Sequence, residues 1–500
     1  MGGEEQPGDL PARALTVIIF SYRSSALLAA CLRSLDAQVG IDPVNVIVVD
    51  EPLGGRHRRD DPQEPPRSAT RHEQPAPGGA GWSGPRGCWL ARGRRFPSPL
   101  PVAGRRVDFA LHPRSNDRKP VHMSLRVLHV SQPVDGGVAS VVGQLTRQQV
   151  GMGVETLLAS PPGPITGMVD PQTRLMHWSA RRSPGPLTIL ETLALRRLIG
   201  RVEPDIIHLH SSKAGMAGRL GIRGAIATVF QPHAWSFVAV EGAARTMAVR
   251  WERMATRWTD LTICVSEDER LDALRQDIDP ETLTVLPNGV DHTTFCPGDR
   301  ATARRDLGLP PRGPLVVCVA RQAPQKGVDQ LLDAWQGVVA RVSGAQLVLV
   351  GDGPDHRALV ERASGLPQVR LVGQQDDIPR WYRSADLAVL PSRWEAMALV
   401  PLEALACGCP VVGFDVEGFA QSIGPVTHPS PVVPRGNIGA LAEAIVIRLN
   451  DSRLLARERD RGLAHVRGHH DVRQVAGEML ALYDEVLTRR PVRDPTGSTA

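Results

Sequence analysis

From Ser124 onward the chain alternates between short apolar runs and helical stretches, and does so twice over. Leu125–Val130, Glu155–Ala159, Ile206–His210, Val229–His233, Leu261–Val265 and Leu283–Leu286 read as strands in the first series. Leu315–Val319, Gln346–Val350, Val369–Val372 and Leu387–Leu390 read as strands in the second, with helices expected at 326–342, 356–364, 378–383, 438–450 and 472–489. Continuous Val/Leu/Ile runs, rather than alternating ones, mark strands buried on both faces, and short β-α connections require a parallel, doubly wound sheet. The expected fold class is therefore α/β, with two Rossmann-like domains in tandem and a ligand cleft between the carboxyl edges of their sheets. Boundaries fall at 123–295 and 296–470, with a C-terminal helix at 471–489 packing back on the N-terminal domain and a tail at 490–500.

The front of the chain reads differently. Residues 14–50 spell strand, helix (Ser25–Gln38) and strand ending at Asp50. One β-α-β unit buries too little surface to stand alone. Residues 51–122 are rich in Pro, Gly and Arg without apolar period, as expected of a disordered linker. They hold 14 basic and 7 acidic residues, against 44 and 46 in the rest, so the formal charge of +5 belongs to this segment and does not make the core a nucleic-acid binder. A frame-shifted junction of two genes would have the same composition, and Met123 is then the expected start of the functional protein. No apolar run reaches the roughly 20 residues that span a bilayer. The seven cysteines form no paired framework, which suits a reducing cytoplasm.

The chemistry gathers in strand-to-helix loops. After Leu387–Leu390 comes Ser392-Arg393-Trp394-Glu395-Ala396-Met397-Ala398-Leu399-Val400-Pro401-Leu402-Glu403, with one glutamate before a short helix and one inside it. Pro401 suits the first turn of that helix and Gly408 its end. Backbone N–H groups at the helix start offer an anion site, and carboxylates accept hydroxyl pairs. Arg321 and Lys326 occupy a second such loop. An anionic, hydroxylated ligand such as a nucleotide-sugar fits this set. Two solvated carboxylates beside an ordinary helix would give the same spacing, so the pair carries weight only together with the second loop.

Taken in order, Asp135-Gly136-Gly137, Leu286-Pro287-Asn288-Gly289-Val290-Asp291, Val319-Ala320-Arg321 with Gln325-Lys326-Gly327, Val350-Gly351-Asp352-Gly353-Pro354 and the Glu395/Glu403 block resemble the retaining, GT-B-fold glycosyltransferases of family 4 over residues 124–489. The resemblance implies a hexosyl-type transfer from a UDP- or GDP-linked sugar to a polysaccharide or lipid-linked acceptor. It assigns Arg321 and Lys326 to the pyrophosphate, the backbone at Ala398 and Leu399 to the phosphates, Glu403 to the ribose and Glu395 to the sugar hydroxyls. Gly353 belongs to the same donor loops, and Gly373 lines the base. Gly136 and Gly137 approach the donor phosphate and acceptor, and His233 lies near the donor sugar. Retention by front-face attack, with the leaving phosphate taking the acceptor proton, is implied, without cofactor or metal. His208-Leu209-His210-Ser211-Ser212-Lys213-Ala214-Gly215 is similar to enzymes of bacterial capsule and exopolysaccharide assembly, which implies a cytoplasmic enzyme working at the inner membrane face. Residues 1–50 resemble the opening of an inverting family 2 glycosyltransferase, truncated at Asp50.

Departures qualify these expectations. Ala396 and Ala398 replace glycines common in the family, so a positive φ at either would be strained, and Glu417–Thr427 lacks the usual glycine-rich run. Asp277-Ile278-Asp279 spells a metal-binding triplet outside any strand-to-loop context. His208 and His210 share a strand face, with no third metal ligand evident nearby. Arg245, Arg250, Arg253 and Arg257, with Trp251 and Trp258, fit either a helix docking on anionic membrane or a solvated face over two core tryptophans. A nucleotide-sugar epimerase and a non-catalytic nucleotide-sugar-binding scaffold remain alternatives to a transferase.

Overall fold

The computed structural model describes residues 16–21, 45–50, 125–183, 185 and 187–490. The chain divides into two units, Met1–His122 and Met123–Ala500. In the first, strands β1 (Thr16–Ser21) and β2 (Asn45–Asp50) pair in parallel. The helix expected at 25–38 and the segment 51–122 lie outside the described residues.

The second unit contains two parallel sheets. The first has seven strands in the order β5-β4-β3-β6-β7-β8-β9. These are β3 (Arg126–Ser131), β4 (Glu155–Ser160), β5 (Arg174–His177), β6 (Ile206–His210), β7 (Ala227–Gln231), β8 (Leu261–Cys264) and β9 (Leu283–Val285). Six strands make the second, ordered β12-β11-β10-β13-β14-β15: β10 (Leu315–Val319), β11 (Gln346–Val350), β12 (Val369–Leu371), β13 (Leu387–Leu390), β14 (Val411–Phe414) and β15 (Val432–Val433). The central strands β6 and β7 are buried at every position, as continuous apolar runs require.

One face of the first sheet packs Leu128, Val130, Ile207 and Leu209 with Trp178 and Phe230. Val127, Ile206 and Val229 on the other face meet Ala476, Met479 and Tyr483 of the C-terminal helix Val472–Arg489. That helix closes the N-terminal domain although it lies beyond the C-terminal one in sequence. Arginine and tryptophan separate in the region of the helix Gly242–Ala255. Arg245, Arg250, Arg253 and Arg257 are exposed. Trp251 and Trp258 are half-buried, with ring centroids 6.3 Å apart, under the guanidinium groups of Arg219 and Arg223. The solvated-face reading is the one this packing supports. Asp277 is an ion-pair partner of Arg253, Ile278 is core, and Asp279 caps a helical turn, which accounts for that acidic triplet without a metal.

Candidate functional site

Two loops at the carboxyl edge of the second sheet are zipped together. After β10 the chain turns through Pro324–Lys326 into the helix Val328–Val339, with Gly327 at φ +60°. A Cβ on Gly327 would stand 2.1 Å from the Pro391 carbonyl oxygen, so only glycine permits this approach. Across the seam, the Arg393 amide donates to the Gln325 carbonyl at 2.8 Å, the Gln325 side chain donates to the Trp394 carbonyl at 3.1 Å, and Arg393 pairs with Asp329. Gly327→Ala is expected to separate the loops. The left-handed backbone alone costs about 1–2 kcal/mol for a residue with a Cβ. The thermal midpoint should fall, and an unchanged midpoint would show the seam to be unimportant.

The seam holds Lys326 Nζ 2.5 Å from Glu395 Oε1. Ser392 Oγ donates to the same oxygen at 2.7 Å. Glu395 Oε2 is the oxygen left without a protein partner among the described residues. Lys326 and Glu395, expected on different parts of one ligand, thus form one ion pair in which the glutamate is 8% exposed. Arg321 is exposed on the β10 loop, and no ion pair holds it among the described residues.

Further loops close against this pair. A Cβ on Gly353 would lie 2.3 Å from the Gln322 carbonyl, and one on Gly351 2.1 Å from that of Ala320, so the Gly351–Gly353 turn lies flat on the β10 loop. The Gly351 amide donates to the carbonyl of Gly373, which has φ +68° and open space where a side chain would be. The helix Leu399–Ala406 starts after Ala398, whose φ of −68° is ordinary extended backbone. Neither Ala398 nor Ala396 is among the positive-φ residues. The strain expected there does not arise. Glu403 sits on this helix among apolar groups, accepts a bond from Tyr382 Oη at 3.3 Å, and is pushed up to about 7 by burial.

The Glu395–Leu399 loop also meets the first domain. Ser266 Oγ donates to the Ala396 carbonyl at 2.8 Å, and Asn288 Nδ2 donates to that of Met397 at 2.9 Å. Ala396 and Met397 cluster with Val265 and Ala234. The segment that lacks the usual glycine-rich run, Glu417–Thr427, contributes too: the Gly418 amide donates to Asp268 and the Gln421 side chain accepts from the Glu267 amide. Gly136, at φ +66°, and Gly137 begin the helix Gly136–Gly151 beyond β3, with open space around both. His233 follows β7 in a left-handed turn, with φ +52° there and +94° at Ala234.

Glu269 was not expected at the site. It is buried, and its oxygens accept the Ala234 and Val265 amides at 2.7 Å each. Burial, the larger influence, pushes it up to about 7 against those bonds. The Ser266-Glu267-Asp268-Glu269 spacing is the available signal, since Ser266 caps the next helix by accepting the Glu269 amide as in a capping box. Histidine grouping also exceeds the expectation. His129, on β3 opposite His208, supplies the third ring beside His208 and His210 that sequence proximity does not reveal.

Residues 135–294 match the model for Glycosyltransferase Family 4, and residues 313–451 match that for Glycosyl transferases group 1. The chain is 30% identical over 325 residues to D-inositol 3-phosphate glycosyltransferase 2 of Catenulispora acidiphila, covering 58% of this chain and 76% of that protein. It is 28% identical over 319 residues to the UDP-Gal:alpha-D-GlcNAc-diphosphoundecaprenol alpha-1,3-galactosyltransferase of Escherichia coli, covering 60% and 82%. Identity to the phosphatidyl-myo-inositol mannosyltransferase of Mycobacterium leprae is 29%, covering 71% and 94%. The crystal structure of Anabaena HepE in complex with UDP and glucose superposes with a TM-score of 0.63 at 19% identity, over 72% of this chain and all of that one. The WaaG glycosyltransferase gives 0.56 at 16% identity, over 72% and 99%. These structures share the GT-B arrangement of two parallel-sheet domains. With both domain models matched in order, the chain belongs to the group 1, family 4 glycosyltransferases and is a sugar-transferring enzyme.

Proposed function

We propose that the protein transfers a hexose-type sugar, with retention, from a UDP- or GDP-linked donor to a lipid-linked or glycan acceptor in bacterial envelope synthesis. The observation that carries this reading is the Lys326–Glu395 pair set at a strand edge beside Arg321 and the start of the helix Leu399–Ala406. The acceptor hydroxyl oxygen bonds to the anomeric carbon as the bond to the diphosphate breaks, and the leaving phosphate takes the hydroxyl proton. Charge then grows on the diphosphate, where Lys326, Arg321 and the helix-start amides oppose it without a metal. Glu395 Oε2 accepts sugar hydroxyls and Glu403 the ribose pair. The relatives named for diphosphoundecaprenol and phosphatidyl-inositol acceptors support a lipid-linked substrate. Among the described residues no helix is long and apolar enough to cross a membrane. On this reading the acceptor is met at the cytoplasmic membrane face, as the family resemblance implies.

The test is a screen of UDP- and GDP-sugars with polyprenyl-diphosphate-linked acceptors. Transfer to acceptor supports the reading. Free nucleotide released without an acceptor would point to an epimerase, and binding without turnover to a scaffold.

Glu403 gives a pH prediction. A carboxyl whose folded value is raised to about 7 binds its proton more tightly folded than unfolded. Its contribution to stability is therefore present at low pH and declines as pH rises from about 4.5 through about 7. Ribose hydroxyls need the ionised form as acceptor, so UDP should bind more tightly as pH rises through about 7. Glu269 titrates in the same window, and Glu403→Gln separates the two. Calorimetry should show the pH dependence flattened in that variant; an unaltered slope would remove Glu403 from the nucleotide site.

A further inference from the structure

Behind the site, the first domain contains a line of histidines that the reaction described above does not use; it ends at His233, which the family resemblance sets near the donor sugar. His129, His208 and His210 are fully buried. The β3–β6 register sets His129 opposite His208, and His210 follows two residues on, so all three rings lie on the face covered by the helix Val472–Arg489. The line begins at Gln149. Its Nε2 donates to Tyr483 Oη at 3.4 Å, which turns Oε1 toward His129 Nε2 at 2.8 Å. His129 Nδ1 is 3.0 Å from His210 Nε2, and His210 Nδ1 is 3.2 Å from His233 Nε2.

With Gln149 Oε1 turned toward His129, each of these bonds runs one way; the reversed amide would reverse the whole line. Gln149 Oε1 is an acceptor, so His129 carries its proton on Nε2. Burial keeps the rings neutral, lowering His129 to about 4, His233 to about 3, and His208 and His210 well below their ordinary value. Neutral His129 therefore accepts at Nδ1 from His210 Nε2–H, and neutral His210 accepts at Nδ1 from His233 Nε2–H. His233, half-buried after β7, is left with a bare Nδ1 that has no partner among the described residues. Its backbone is held independently, through the Glu269 bond to the Ala234 amide.

We propose that Gln149, His129 and His210 are positioning residues that lock His233 in its Nε2–H tautomer, so that Nδ1 accepts a hydroxyl of the sugar ligand. A hydroxyl of the donor or acceptor sugar is the complementary group; a carbonyl or phosphate oxygen is not, because it brings no proton. This assignment rests on the transfer reading for the identity of the ligand, though not for the tautomer itself.

A metal centre would use the same rings, whose nitrogens lie within 4.8 Å of one another. It would break the His129–His210 bond and bury two positive charges among residues with no carboxylate in the group. The one ring nitrogen of the cluster without a partner, His208 Nε2, is no free ligand. Tyr483 Oη already accepts from Gln149 and so donates to His208 Nδ1 at 2.6 Å, which leaves the proton of His208 on Nε2.

The experiment is two-bond nitrogen–proton correlation NMR of the full chain with its histidine rings labelled, near pH 7. The His233 signal, identified by its loss in His233→Gln, should show the Nε2–H form. His210→Leu should mix its tautomers and lower kcat/KM about tenfold, the value of roughly one hydrogen bond, with affinity for the free nucleoside diphosphate unchanged. His210→Asn places Oδ1 where Nδ1 stood and should restore both. An Nδ1–H signal for His233 in the unaltered chain would overturn the proposal even if every variant failed to fold. So would tautomers unmoved by His210→Leu, or one zinc per purified chain. Loss of nucleotide-sugar binding and transfer in the unaltered chain, with the expected tautomer present, would instead overturn the transfer reading alone.

Discussion

Lys326→Ala is expected to lower kcat/KM by about 10²–10³-fold, the range for deleting one preorganised donor to a developing oxyanion. The same substitution should destabilise the second domain. It leaves the Glu395 carboxylate, 8% exposed, with only the Ser392 hydroxyl to answer its charge. Breaking a buried pair from one side costs about 3–5 kcal/mol. Because Lys326 is itself 20% exposed, the lower part of that range applies. The two losses can be separated. Adding Glu395→Gln to Lys326→Ala removes the stranded charge, so urea unfolding should recover most of the lost stability. Transfer should not recover, since the cation proposed to face the leaving diphosphate is still missing. Turnover near normal in Lys326→Ala would remove the residue from the chemistry, and full recovery in the double variant would show that only folding had been lost.

The architecture was legible because buried parallel strands write themselves as unbroken Val/Leu/Ile runs. Elements without that signature were not. β5, Arg174-Leu175-Met176-His177, is a largely exposed edge strand. β15 has two residues, and the helix Ser452–His469 buries only Leu454, Glu458, Gly462 and Val466. The strand reading of Val229–His233 ran two residues past β7, because Pro232 and the left-handed His233 end the ladder.

At the candidate site, residue types gave the candidates and the fold gave their pairing. Sequence spacing separates Lys326 from Glu395 by 69 positions, and nothing in either loop states that the two side chains meet. The expected strain at Ala396 and Ala398 came from residues usual in related chains. Neither alanine is left-handed here, whereas Gly418 is, and a Cβ on it would meet the Ala396 carbonyl at 2.4 Å. His129 carries no sequence signal for the site, because joining it to His210, 81 positions on, requires the β3–β6 register.

The largest effect on stability alone is expected for Arg219→Leu. Arg219 and Glu252 are each 1% exposed, joined Nη2 to Oε2 at 2.8 Å. The guanidinium also lies 3.9 Å over the Phe230 ring, and its Nε donates to the Gly215 carbonyl at 2.9 Å. Glu252 in turn accepts from Ser236 Oγ at 3.0 Å, in the turn that follows His233. Leucine leaves that carboxylate buried with one hydroxyl donor, a loss of about 3–5 kcal/mol. Each kcal/mol lowers the melting midpoint by roughly 2–4 °C for a domain of this size. Desolvation of the unpaired charge, rather than the missing attraction, makes up most of this cost. Arg219→Leu combined with Glu252→Leu should therefore be markedly more stable than Arg219→Leu alone. The contrast is measurable as a double-mutant cycle in calorimetric unfolding. Additive losses would show the pair to be independent, and a single variant melting with the unaltered chain would show that water reaches Glu252.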